Sequence, residues 1–114
     1  ISGGALSVVM PDVKFCGGVA EAYHVGKSAL AAGRQVSLHS PSGPVSLLQG
    51  GHVTAALRDA MSLEHAVYEA SWRAELLSPA EAVKDGMLWI PPGPGLGATL
   101  DGAVIDRRGR RWKP

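Results

Sequence analysis

With one cysteine, Cys16, among 114 residues, the chain cannot close an internal disulfide, which fits a reducing cytoplasm. Charge is sparse and balanced: charged residues make up 18% and the net charge is +1. No global field therefore draws the chain to nucleic acid or to a membrane surface. No apolar run approaches the roughly 18 residues needed to cross a bilayer, and no signal peptide opens the sequence. What is present is apolar material, 46% of residues, too much for a disordered chain. The sequence starts at Ile1 where a translation start would place Met, so it reads as an excerpt of a longer protein.

Leu6 to Met10 is short and apolar, with Gly3-Gly4 before it and Pro11-Asp12 after it. That pattern suits a buried parallel strand. Gly17-Gly18 marks a turn, the Ala-rich stretch Val19 to Ala32 a helix, and Gly33 its stop. Val36 to Leu38 forms a second strand ending at His39. Ser40-Pro41-Ser42-Gly43-Pro44 is a loop, and Val45 to Arg58 a second helix, weakened at Gly50-Gly51 by about 1 kcal/mol per glycine. Met61 to Glu64 is a third strand. This βαβαβ order implies an α/β fold with parallel strands and right-handed crossovers. Beyond Glu64 the pattern turns irregular: Asp85-Gly86 is a turn, Met87 to Ile90 a short apolar run, Pro91 to Gly97 irregular, and Ala98 to Leu100 the start of a short helix. The division expected is 1–66 for the βαβαβ segment, 67–101 for an extension and 102–114 for a basic tail.

Asp12, His39 and Glu64 each fall at or just past the C-terminal end of an expected strand. In an α/β barrel that edge builds the active site. An imidazole beside a carboxylate is a held general base, because the carboxylate selects the tautomer and stabilises the imidazolium. A third carboxyl group can donate a hydrogen bond if its surroundings raise its pKa. Taken singly, the three also fit a solvated histidine, a turn-capping aspartate and a surface glutamate.

The run Pro11-Asp12-Val13-Lys14-Phe15-Cys16-Gly17-Gly18 resembles the sixth barrel strand of the mandelate racemase and muconate lactonising enzyme family, within the enolase superfamily. There a "PD…GG" segment precedes a helix and a strand ending in His; here His39 lies 27 positions after Asp12. "HSPSGPVS" (His39 to Ser46) is similar to the loop after strand seven, "SLEHA" (Ser62 to Ala66) to strand eight with its Glu, and "KDGMLWIPPGPGLGATLD" (Lys84 to Asp101) to the C-terminal signature. Asp12 stands where the muconate branch has a catalytic Lys, which places the chain with mandelate racemase and the acid-sugar dehydratases. For Lys14 an ion pair with Asp12 is expected.

The resemblance implies strands six to eight of a TIM-type (β/α) barrel with a C-terminal extension toward a capping domain. It implies abstraction of the proton alpha to a carboxylate, with His39 as base, Asp12 orienting it, and Glu64 hydrogen-bonding the substrate carboxylate. Ser40, Ser42 and Trp72 are weaker substrate-contact candidates. The cofactor implied is Mg2+, held by carboxylates from strands outside this chain, so no metal ligand is assigned here and the isolated chain is expected to be inactive. Partners implied are an acid sugar or 2-hydroxy acid, the N-terminal part of the same protein and, given exposed sheet edges, further copies of the chain. Acid-sugar dehydration leads; a racemase or epimerase, a non-catalytic relic and, through the basic stretch Arg107 to Lys113, a small nucleic-acid module are the alternatives. Cys16 reads as packing, and His24, His52 and His65 match no zinc spacing.

Overall fold

The computed structural model describes residues 3–67 and 70–110. The two main helices form where composition placed them. Helix α1 (Val19–Ala31) opens after Gly18, whose φ of 102° suits glycine, and carries Glu21 in its first turn. It closes through Gly33, at φ 70°, the left-handed end that glycine supplies without strain. Helix α2 (Pro44–Leu57) has proline at its start, where a missing N–H costs nothing.

The glycines that weaken α2 by propensity are required by packing. A Cβ on Gly51 would lie 2.8 Å from both Ile90 Cδ1 and Leu88 Cδ2, and one on Gly50 would lie 3.0 Å from Leu63 Cδ1. Helix α1 makes the same concession, since a Cβ on Gly26 would lie 2.6 Å from Leu57 Cδ1. Tertiary contact thus overrides local preference here.

Strands β1 (Val8–Val9) and β2 (Gln35–Val36) pair in parallel, Val8 opposite Gln35 and Val9 opposite Val36. The ladder runs past both: Gln35 donates to Ser7, Ser37 to Val9 and His39 to Pro11, at 3.0 to 3.2 Å. Pro11-Asp12 and His39 therefore arrive side by side at one edge. The third expected strand requires correction. Met61 and Glu64 donate to the Val36 and Leu38 carbonyls at 2.7 and 3.2 Å, so the segment lies beside β2. Three residue steps against two break the regular ladder, and Met61 to Glu64 is not a regular strand. The core comprises Val13, Ala22, Ala29, Val36, Leu38, Val53 and Leu57, and so ties α1 and α2 to β2.

The remainder is built of short pieces. A single 3-10 turn (Arg73–Glu75) leads to β3 (Leu77–Ser78), then β4 (Ala82–Lys84) and β5 (Met87–Trp89) form a hairpin. Its turn, Asp85-Gly86, has φ of 53° and 76°, the double positive φ that a tight two-residue hairpin turn favours. Strand β6 (Thr99–Leu100) pairs antiparallel with β3. The expected helix at Ala98 to Leu100 is thus a strand. The helix, α3 (Gly102–Arg108), starts later because Asp101 caps it, its Oδ1 accepting from the Val104 amide at 2.9 Å. The stretch expected as a basic tail accordingly opens as helix. Among the described residues no helix is long and apolar enough to cross a membrane.

Candidate active site

Asp12 is 6% exposed and works twice. Its carbonyl accepts from the Phe15 and Cys16 amides at 3.0 and 2.9 Å, and its Oδ1 accepts from the Lys14 amide at 2.8 Å. It therefore builds the turn between β1 and α1, as an aspartate after proline commonly does. Its other oxygen, Oδ2, lies 2.9 Å from His39 Nδ1. The cap and the histidine partner are one residue. Lys14 contributes its backbone amide to Asp12, in place of the ion pair expected, because it sits in a turn and not on a strand; its ammonium lies 4.7 Å from the Phe15 ring centre.

Burial alone would push the Asp12 carboxyl up. The Lys14 amide, the His39 hydrogen bond, and the charges of Lys14 and His39 outweigh it, so the group sits below the ordinary carboxylate value. An ionised carboxylate only accepts, so Nδ1 of His39 is the donor in this pair. The neutral ring then carries its lone pair on Nε2. Nε2 lies 3.8 Å from Glu64 Oε2, too far for a hydrogen bond. The His39 and Glu64 side chains are 40% and 41% exposed, so a ligand can reach both.

Glu64 is oriented by the Ser40 amide, which donates to Oε2 at 3.1 Å. Ser40 thus contributes through its backbone; its hydroxyl is buried and without a hydrogen-bond partner. Ser42 presents its carbonyl to Arg73 Nη1 at 2.7 Å. Trp72 stands apart from the dyad's contacts, 5.8 Å from the Arg108 guanidinium across its ring. The structure brings Asp12, His39, Glu64 and Ser40 together. It places Ser42 against Arg73 and Trp72 against α3.

Two features escaped sequence reasoning. Arg73 forks onto the Glu81 carboxylate as well as reaching Ser42; an arginine and a glutamate eight residues apart in an irregular stretch give no periodic signal. An apolar cavity of about 360 Å3 lies between α2 and the β4–β5 hairpin, and none of Asp12, His39 and Glu64 lines it. Cys16 lies 3.8 Å from the Gly18 carbonyl, and His24 packs edge-on to Tyr23. Among the described residues, no group of three His, Cys, Asp or Glu is placed to hold a metal ion.

A family model described as "Enolase C-terminal domain-like" matches residues 1–104. The chain belongs to that family. Its α/β fold is that of the C-terminal part of an enolase-superfamily protein. This enolase C-terminal domain is 30% identical over 102 residues to a D-xylonate dehydratase of Haloferax volcanii, covering 90% of the chain and 25% of that enzyme. It is 29% identical to an arabinonate dehydratase of Saccharolobus solfataricus, covering 90% and 27%. An enolase of the mandelate racemase subgroup from Agrobacterium tumefaciens superimposes with a TM-score of 0.81 at 34% identity, over 91% of this chain and 28% of that one. The domain spans about a quarter of the length of the curated relatives it matches. Enolase-superfamily enzymes generally use Mg2+. The residues here do not fit that ion: it needs near-octahedral oxygen ligation, while Asp12 is engaged by His39 and Lys14, and Glu64 by Ser40.

Proposed function

We propose that this domain supplies the base and a carboxyl hydrogen-bond partner for removing the proton alpha to a carboxylate, within an enzyme that dehydrates acid sugars. The observation that carries this reading is the 2.9 Å contact of His39 Nδ1 with a buried, ionised Asp12, which leaves Nε2 basic at an open edge. Nε2 takes the alpha proton, and Asp12 stabilises the resulting imidazolium. His39 then returns a proton to the departing hydroxyl, so that water leaves. Glu64, held by the Ser40 amide, is the hydrogen-bond partner of the substrate carboxylate as negative charge accumulates there, an effect worth a few kcal/mol.

Dehydration is preferred to racemisation or epimerisation because the first curated relatives are dehydratases of xylonate and arabinonate. The remaining strands of the barrel, with any Mg2+ ligands, lie outside this chain, and a cytoplasmic location accords with the lone Cys16. The test uses a protein carrying this domain in a complete barrel, with a panel of five- and six-carbon aldonates in deuterated water. Formation of the 2-keto-3-deoxy acid, lost by about 10²- to 10⁴-fold in His39→Asn, is the expected result. Deuterium entering the alpha position without loss of water would make it a racemase or epimerase. A His39→Asn variant retaining more than about a tenth of the rate would remove His39 as the base.

A further inference from the structure

The loop that follows the base is poorly equipped to hold itself. Ser40-Pro41-Ser42-Gly43-Pro44 contains two prolines, which have no N–H to donate, and a glycine. Its first residue is fastened by the Ser40 amide to Glu64. Its middle is fastened from a distant part of the sequence: Arg73 Nη1 donates to the Ser42 carbonyl at 2.7 Å. The Arg73 side chain is 11% exposed, and its Nε and Nη2 grip the Glu81 carboxylate, itself 10% exposed. A planar guanidinium can face a carboxylate and a carbonyl at once, which an ammonium cannot do in the same geometry.

The 3-10 turn carrying Arg73 is itself anchored on the other side. Trp72 stacks against Arg108, and Glu75 pairs with Arg107 at 3.4 Å. Side-chain contacts thus run from helix α3 through the turn to the loop after His39.

We infer that Arg73 is a positioning residue, which sets the place of the Ser40–Ser42 loop, and through the Ser40 amide the aim of Glu64, by bracing the Ser42 carbonyl against Glu81. This rests on the functional reading above. It extends that reading to a residue which touches no reacting atom.

The test is Arg73→Lys in a protein carrying the complete barrel. Lysine keeps a cation beside Glu81 and loses the second attachment. The variant is expected to fold, with amide exchange at Ser40 and Ser42 faster by about tenfold and exchange within α1 unchanged. Its kcat is expected to fall by about 10-fold or more, as misplacement of about 1 Å can cost 10²-fold. KM should change less, and the pH profile should keep its shape, because His39 and Asp12 are untouched. Unaltered exchange at Ser40 and Ser42, or faster exchange with kcat within about twofold of wild type, would overturn the inference. Should Arg73→Lys fail to fold, Glu81→Gln, which loosens the guanidinium without removing it, must give both changes in smaller measure; absence of either overturns it. A wild-type protein that neither dehydrates aldonates nor exchanges their alpha hydrogen would sink the functional reading, and amide exchange would still decide the brace.

Discussion

Residues 8–64 and residues 70–110 are built on different principles. In the first region, apolar side chains from helices and strands meet: among the described residues, nine of the eleven buried apolar ones lie between Val13 and Leu57, and only Leu77 and Val104 lie beyond. In the second, strands of two or three residues pair in twos and leave Val83, Met87, Trp89 and Leu100 44 to 60% exposed. His39 and Asp12 belong to the first region, where side chains are closely packed. The second region meets the first by polar attachment, through Arg73, and by packing Leu88 and Ile90 onto Gly51 of α2. A dense core fixes where His39 and Asp12 stand, and a sparsely packed extension touches the loop beside them.

That contrast can be broken at several points, each in a protein carrying the complete barrel. The largest effect falls on the dyad. Asp12→Asn keeps the shape but reverses the preferred tautomer of His39, and kcat should fall by about 10⁴-fold, as for an orienting aspartate in other His–Asp pairs; steady-state kinetics measure it. Next come core truncations in the first region. Leu38→Ala or Leu48→Ala, both fully buried, should cost about 2–5 kcal/mol in urea unfolding. Trp89→Ser, at an exposed site, should change stability by about 0.5 kcal/mol or less unless another part of the protein covers it. Equal losses at both sites would erase the distinction.

Gly51→Ala probes the seam between the regions. The added Cβ meets Leu88 and Ile90 at 2.8 Å, and overpacking of this kind costs about 1–3 kcal/mol. Amide exchange should quicken in the β4–β5 hairpin and leave β1 and β2 unchanged. The smallest effect concerns acid. The Asp12 carboxyl lies below the ordinary value in the folded protein, so between that lowered value and about 3.9 the unfolded chain binds more protons than the folded one. Stability therefore rises with pH across that window. The contribution is complete above about pH 4 and is lost as the pH falls through the folded-state value. Urea midpoints measured downward from about pH 6 should show this acid loss in wild type and a shallower one in Asp12→Asn.

How legible the molecule was in its sequence also divides at about Glu64. The helices at 19–31 and 44–57 were readable from Ala-rich composition and a glycine stop for the first and from the turn-rich loop before the second, although Pro44, read as loop, opens the second helix; these are local signals. The Asp12–His39 approach was readable because both residues end expected strands, and parallel neighbours deliver their C-terminal ends to one edge. Met61 to Glu64 was misread because apolar composition cannot report an extra residue in the pairing. Thr99–Leu100 was misread because its partner, Leu77–Ser78, lies over twenty residues away and each strand is only two residues long. Lys14 was assigned a strand face when Asp12 had already turned the chain.

By itself, the sequence determined the α/β alternation of the first part of the chain and the placing of Asp12 and His39 just past successive strands, because these rest on periodicity and turn chemistry, while the resemblance of its motifs pointed to the family. Only the tertiary structure decided that Asp12 shares its two oxygens between the Lys14 amide and His39, that Ser40 acts through its N–H, and that Arg73 reaches the Ser42 loop. Those contacts join residues whose separation carries no pattern. They come from the way packed elements bring distant atoms within hydrogen-bonding range, which no local preference encodes.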